Sequence, residues 1–143
     1  MIILIALMPF SVSAQEIFPN VTHQSPLTAE QLDNVFNGQS HRGSYNFMRK
    51  SFTTYSFEET TFEDGTLEHI QADVVDKGVW AISETLICYR YANKAFQSAC
   101  FEIYQLGNCY YHYLKTVAGR SQGVFTARTV IKGESPDCAP LIS

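Results

Sequence analysis

From Gly43 onward the chain is a succession of short segments rich in Tyr, Phe, Thr, Val and Ile with turn residues between them, a pattern that confines it to antiparallel β-structure. Strands are expected near 43–49, 51–58, 60–63, 66–72, 76–82, 85–91, 97–106, 109–117 and 123–131. Asp64-Gly65, between Thr60-Thr61-Phe62 and Thr66-Leu67, predicts a tight hairpin whose two central residues both take positive φ. Gly107-Asn108 joins two further runs in the same manner. The expected fold is mainly β: an antiparallel meander forming a small barrel or strongly curled sheet, with one short N-terminal helix covering an opening or a face.

That helix is expected over Ala29–Asn37. Thr28 can cap it, with Gln31 reaching back as the second half of a capping box, and Leu27 and Leu32 sit where a hydrophobic staple places them. Leu32, Val35 and Phe36 form one apolar stripe, and Gly38 supplies a left-handed stop. The stripe is narrow, so the helix must lie against another element.

Met1 to Phe10 is almost wholly apolar but far shorter than the roughly 20 residues that span a bilayer, and it gives way to Val12-Ser13-Ala14. We expect a signal peptide over 1–14 cleaved after Ala14, an extended lead-in over 15–26 with two prolines, and a single domain over 27–143. The protein is then exported, periplasmic or secreted, with no membrane span after cleavage. Its net charge of −4 and scattered Lys and Arg argue against nucleic acid as a partner.

Four cysteines fall between positions 88 and 138, and an exported chain with an even number usually oxidises them in pairs. Three connectivities are open. Cys88 and Cys100 flank a turn around Ala92–Phe96 and would face each other in simple hairpin register, leaving Cys109 and Cys138 to tie the Pro-containing tail to the sheet. There is no Cys-x-x-Cys and no close Cys–His pairing of the kind zinc sites use, so the cysteines are read as staples and no metal or cofactor is expected.

No catalytic constellation is found. Gly119-Arg120-Ser121-Gln122-Gly123 matches a nucleophile motif, but that motif needs a following helix and an α/β sheet, whereas Val124–Ile131 alternates like a strand. A glycine-rich turn is expected instead. Glu58, Glu59, Glu63 and Asp64 lack the spacing of a calcium loop and are read as a solvated hairpin tip. His23, His41, His69 and His112 share no ligand spacing and are read as surface or half-buried side chains.

The aromatic residues are more suggestive. Trp80, Tyr89, Tyr91, Phe101, Tyr104, Tyr110, Tyr111 and Tyr113 crowd neighbouring strands, and apolar residues occupy both alternating faces of Leu86–Tyr91 and Cys100–Leu106. Trp80, Tyr89, Tyr104 and Tyr111 are therefore the candidate lining of a site for a small apolar ligand inside the barrel, ring faces giving contact and hydroxyls giving orientation. The expected function is a non-catalytic exported β-domain binding a small apolar ligand or a macromolecular partner. The alternative is a periplasmic inhibitor or envelope-interaction protein acting through an exposed loop, Gly119–Gly123 or the Glu58–Asp64 tip.

Leu27-Thr28-Ala29-Glu30-Gln31-Leu32, Phe36-Asn37-Gly38, Asp64-Gly65-Thr66, Gly78-Val79-Trp80 and Leu86-Ile87-Cys88 followed by Cys100 together resemble small exported bacterial domains of uncharacterised function. The resemblance spans about 27–104 and implies a periplasmic home; that family carries no known activity to transfer. Gly-x-Trp is also similar to a lipocalin motif, which lies near the first strand there and mid-chain here, so lipocalin ligand binding would be carried by fold-level analogy alone.

Overall fold

The computed structural model describes residues 21, 24–45, 56–93, 98–118 and 120–138. The expected signal peptide, most of the lead-in and the strand positions at 46–55 lie outside them. One helix, α1 (Ala29–Phe36), precedes eight strands: β1 (Gln39–Tyr45), β2 (Ser56–Thr61), β3 (Thr66–Gln71), β4 (Val74–Ser83), β5 (Leu86–Tyr91), β6 (Ala99–Leu106), β7 (Cys109–Val117) and β8 (Arg120–Ile131). Each strand pairs antiparallel with the next and β8 returns to β1, closing an up-and-down barrel. Closure gives every strand among the described residues a neighbour on both sides.

Nine strands are expected and the described residues hold eight. The expected 51–58 and 60–63 meet in β2, because Phe57, Glu59 and Thr61 alternate without a break on the buried face. The chain enters β1 already at Gln39, directly after Gly38 turns it at φ 70°. A second correction concerns the Asp64-Gly65 hairpin: Gly65 takes φ 84°, whereas Asp64 does not take positive φ. The turn is one residue longer than expected. The Gly65 amide donates to the Phe62 carbonyl at 3.0 Å, the Phe62 amide donates to Thr66 at 2.9 Å, and glycine occupies the left-handed bulge position. Asp64 Oδ1 instead accepts from the amide (2.9 Å) and hydroxyl (2.6 Å) of Thr66.

The capping box forms: the Gln31 amide donates to Thr28 Oγ1 at 3.3 Å and the Thr28 amide to Gln31 Oε1 at 2.9 Å. Leu32 and Phe36 face inward with Leu27 onto Leu67, Ile87, Tyr89, Ile103 and Tyr110. Backbone contacts fix the helix to one end of the barrel: the Leu27 amide donates to the Ile103 carbonyl at 2.8 Å, and the Thr61 hydroxyl donates to the Phe36 carbonyl. This end therefore carries an apolar plug. Eight strands leave an interior just wide enough for side chains to fill, and this cluster packs there beneath α1.

The second face of β6–β8 is covered as well. Tyr104, Cys109, Tyr111 and Val130 are buried there with Val21 before the helix and Cys138 of the tail. Both expected disulfides form. Cys88 and Cys100 are direct cross-strand partners of β5 and β6 with Cα atoms 4.0 Å apart, and Cys109 is bonded to Cys138. The tail is further tied by the Asn108 amide to the Asp137 carbonyl (2.9 Å) and by the Asp137 amide to Asn108 Oδ1 (2.7 Å). Replacing Cys109 and Cys138 together by serine should lower unfolding stability by about 2–4 kcal/mol, measured by urea titration against the wild type.

Candidate functional site

Side chains alternate strictly along closed strands, so each barrel residue faces either the interior or the outer surface. Two places concentrate chemistry, one on each side of the wall.

Inside, residues with the same parity as the core are polar. Glu59 of β2 and His69 of β3 are direct cross-strand partners, 8% and 5% exposed, and Glu59 Oε2 lies 3.1 Å from His69 Nδ1. Tyr91 of β5 donates its hydroxyl to the same carboxylate oxygen. Tyr45 of β1 lies 3.0 Å from His69 Nε2. An ionised carboxylate only accepts, so Nδ1 of His69 carries the proton donated to Glu59, and Nε2 accepts from Tyr45. Phe57 stacks between Tyr45 (ring centroids 4.4 Å apart) and His69 (5.1 Å), filling the space beside this relay. The reading of Glu59 as part of a solvated tip and of His69 as a surface or half-buried side chain is thus corrected.

Two further histidines are buried nearer the helix. His41 Nε2 lies 3.1 Å from the Val35 carbonyl and so donates; its Nδ1 then accepts from the Thr129 hydroxyl at 3.3 Å, and that hydroxyl accepts from His112 Nε2 at 2.9 Å. Both nitrogens of His41 are thus bonded with the ring neutral, and His112 joins through its Nε2. Burial lowers the pKa of His41, and burial reinforced by the neighbouring His41 pushes His112 down to about 3. An unfolded chain takes up protons at these positions below about pH 6.5, whereas the folded chain resists. Stability is therefore complete above pH 6.5 and falls as pH drops toward 3, by at most about 1.4 kcal/mol per pH unit for each ring. Urea titrations at pH 7, 6 and 5 should show this decline, and His112→Phe should flatten it.

The relay resembles a nucleophile–base–acid chain in composition, yet the tyrosines are poor nucleophiles here. Burial and the Glu59 charge raise the pKa of Tyr45, Tyr89 and Tyr91. Ser121 of the Gly-x-Ser-x-Gly match pairs with Thr116 at the start of β8, which begins at Arg120 rather than at the expected 123. It stands six positions from Ala127, the partner of His112, or roughly 20 Å along the strand. No His/Cys/Asp/Glu group among the described residues is arranged to hold a metal.

The four aromatic residues expected to line one cavity are divided by the barrel wall. Tyr89 is in the interior cluster and Trp80 packs against it, while Tyr104 and Tyr111 belong to the outer cluster. Trp80 Nε1 donates to the Phe62 carbonyl at 2.8 Å, and Tyr104 donates to Glu102 at 2.9 Å, which with burial pushes its pKa up to about 12. Tyr89 differs from both: its buried hydroxyl makes no hydrogen bond of ordinary length among the described residues and meets only the Glu59 carboxylate, loosely. Tyr89→Phe should change stability by no more than about 1 kcal/mol in a urea titration, because the hydroxyl it removes is desolvated with little compensation.

Outside, a groove of about 610 Å3 runs over β8, β1, β2 and β3. The register explains it as two rows across the outer face. Val130, Arg42, Glu58 and Ile70 form one row, and Arg128, Ser44 and Ser56 form the other. Pro136 of the tethered tail lines the groove as well. Phe57 borders the groove only as part of the β2 wall, because its ring lies on the interior face against Tyr45 and His69. The sequence reading missed this groove, since its lining comes from four strands and a tail brought together only by barrel closure.

No protein-family model, curated protein or solved structure matches the chain.

Proposed function

We propose that this protein is an exported, non-catalytic barrel that binds a small molecule with an apolar body in the groove over β8, β1, β2 and β3. The groove carries the reading: its volume of about 610 Å3 falls in the range of small-molecule sites, and it combines Ile70, Val130 and Pro136 with a few polar side chains. The interior is a less favourable place, because its rings are stacked on one another and on the relay. Two disulfides support export. No helix among the described residues is long and apolar enough to cross a membrane.

Native mass spectrometry of the protein purified from its own source tests this. A bound small molecule is expected on the wild type and is lost from Ser44→Trp, which fills the groove from an exposed strand position. Retention of that molecule by Ser44→Trp contradicts the groove. A second reading, contact with a macromolecular partner, draws on the exposed Val74, Val75 and Val79 of β4 and Phe62 beside the neighbouring hairpin. A co-purifying protein that is lost on Val75→Lys would favour it.

A further inference from the structure

Arg42 and Arg128 are diagonal neighbours on adjacent strands, both pointing outward into the groove, with Cβ atoms roughly 7–8 Å apart by antiparallel geometry. Neither makes an ion pair among the described residues. The acid nearest in register is Glu58, the direct cross-strand partner of Arg42, and its carboxylate is taken by Lys132 Nζ at 2.9 Å. Each guanidinium is nevertheless held in place. Arg42 Nη2 donates to the Glu134 carbonyl at 2.9 Å, and Arg128 Nη1 points to Cys138 Sγ at 3.5 Å. One contact each leaves most of the five donors of a guanidinium unused, in a chain whose overall charge is −4.

Resting on the groove reading above, we propose that the ligand is an amphipathic anion, its oxyanion headgroup held between Arg42 and Arg128 and its apolar body lying on Ile70, Val130 and Pro136. Two guanidiniums offer paired N–H donors that match carboxylate or phosphate oxygens, and such charge-assisted bonds are the strong ones. Ser44 and Ser56, cross-strand partners beside them, supply hydroxyl donors for remaining oxygens. The disulfide of Cys109 and Cys138 anchors the tail that orients both arginines, so the staple also shapes the headgroup site.

The test is calorimetric titration of the full chain with octanoate, octyl phosphate and octanol, using wild type, Arg42→Gln/Arg128→Gln and Arg42→Lys/Arg128→Lys, with thermal melts to establish that each variant is folded. At least one of the two anions is expected to bind the wild type about tenfold or more tightly than octanol, and the tighter of the two identifies the headgroup. The Gln variant should lose that advantage, and the Lys variant should keep part of it because charge remains. Equal binding of all three probes, unchanged in the Gln variant, overturns the anion while leaving the groove. Absence of binding by every probe overturns both.

Discussion

Replacing Glu59 by alanine is expected to destabilise the barrel by about 2–5 kcal/mol, because two buried donors lose their acceptor together. Glu59 accepts from His69 and Tyr91. Its loss strands an imidazole N–H and a phenol inside the barrel, where water is a poor substitute. Tyr91→Phe removes only one donor and leaves Glu59 bonded to His69, so a smaller loss, about 1–2 kcal/mol, is expected. Urea titration of the two variants checks the ranking. Equal effects would mean that the relay does not act as a connected unit.

The second large effect is expected at Gly78. A Cβ built there would lie 2.1 Å from the Arg90 carbonyl oxygen and 2.9 Å from Tyr91 Cα, both backbone atoms of the paired strand β5. A rigid backbone cannot rotate away as a side chain can, so Gly78→Ala must displace β4 from β5 and should cost about 3 kcal/mol or more. Gly123→Ala is the control, since its Cβ meets nothing within 4 Å. It should stay within about 0.5 kcal/mol of the wild type. Thermal melts of the two variants side by side give the comparison.

Gly78 also shows what was legible in the sequence. The motif Gly78-Val79-Trp80 was visible, but its reason, the close approach of the β5 backbone, exists only once strands are paired. Local signals read well: Thr28 and Gln31 cap α1, Gly38 ends it, and Cys88 faces Cys100 as hairpin register required. The interior relay was harder to see. Glu59 shares its face with Phe57 and Thr61, and His69 shares its face with Leu67, so parity with apolar neighbours was the available signal. Charge in the run Glu58-Glu59 masked that parity and suggested solvent. Parity also separates Tyr104 and Tyr111 from Tyr89, because crowded aromatics on consecutive strands still fall on opposite sides of the wall. The groove had no sequence signal, for Arg42, Ser56 and Arg128 are distant in the chain and meet only through closure between β8 and β1.

The most direct measurement is residue-by-residue amide NMR of the wild-type protein titrated separately with octanoate, octanol and octyl phosphate. A ligand in the outer groove shifts the amides of Arg42–Ser44, Ser56–Glu58 and Arg128–Val130 and leaves those of Tyr89 and Ile103 in place. Shifts centred on Tyr89 and Ile103 would put the ligand inside the barrel and contradict the account, as would spectra unchanged by octanoate, octanol and octyl phosphate alike.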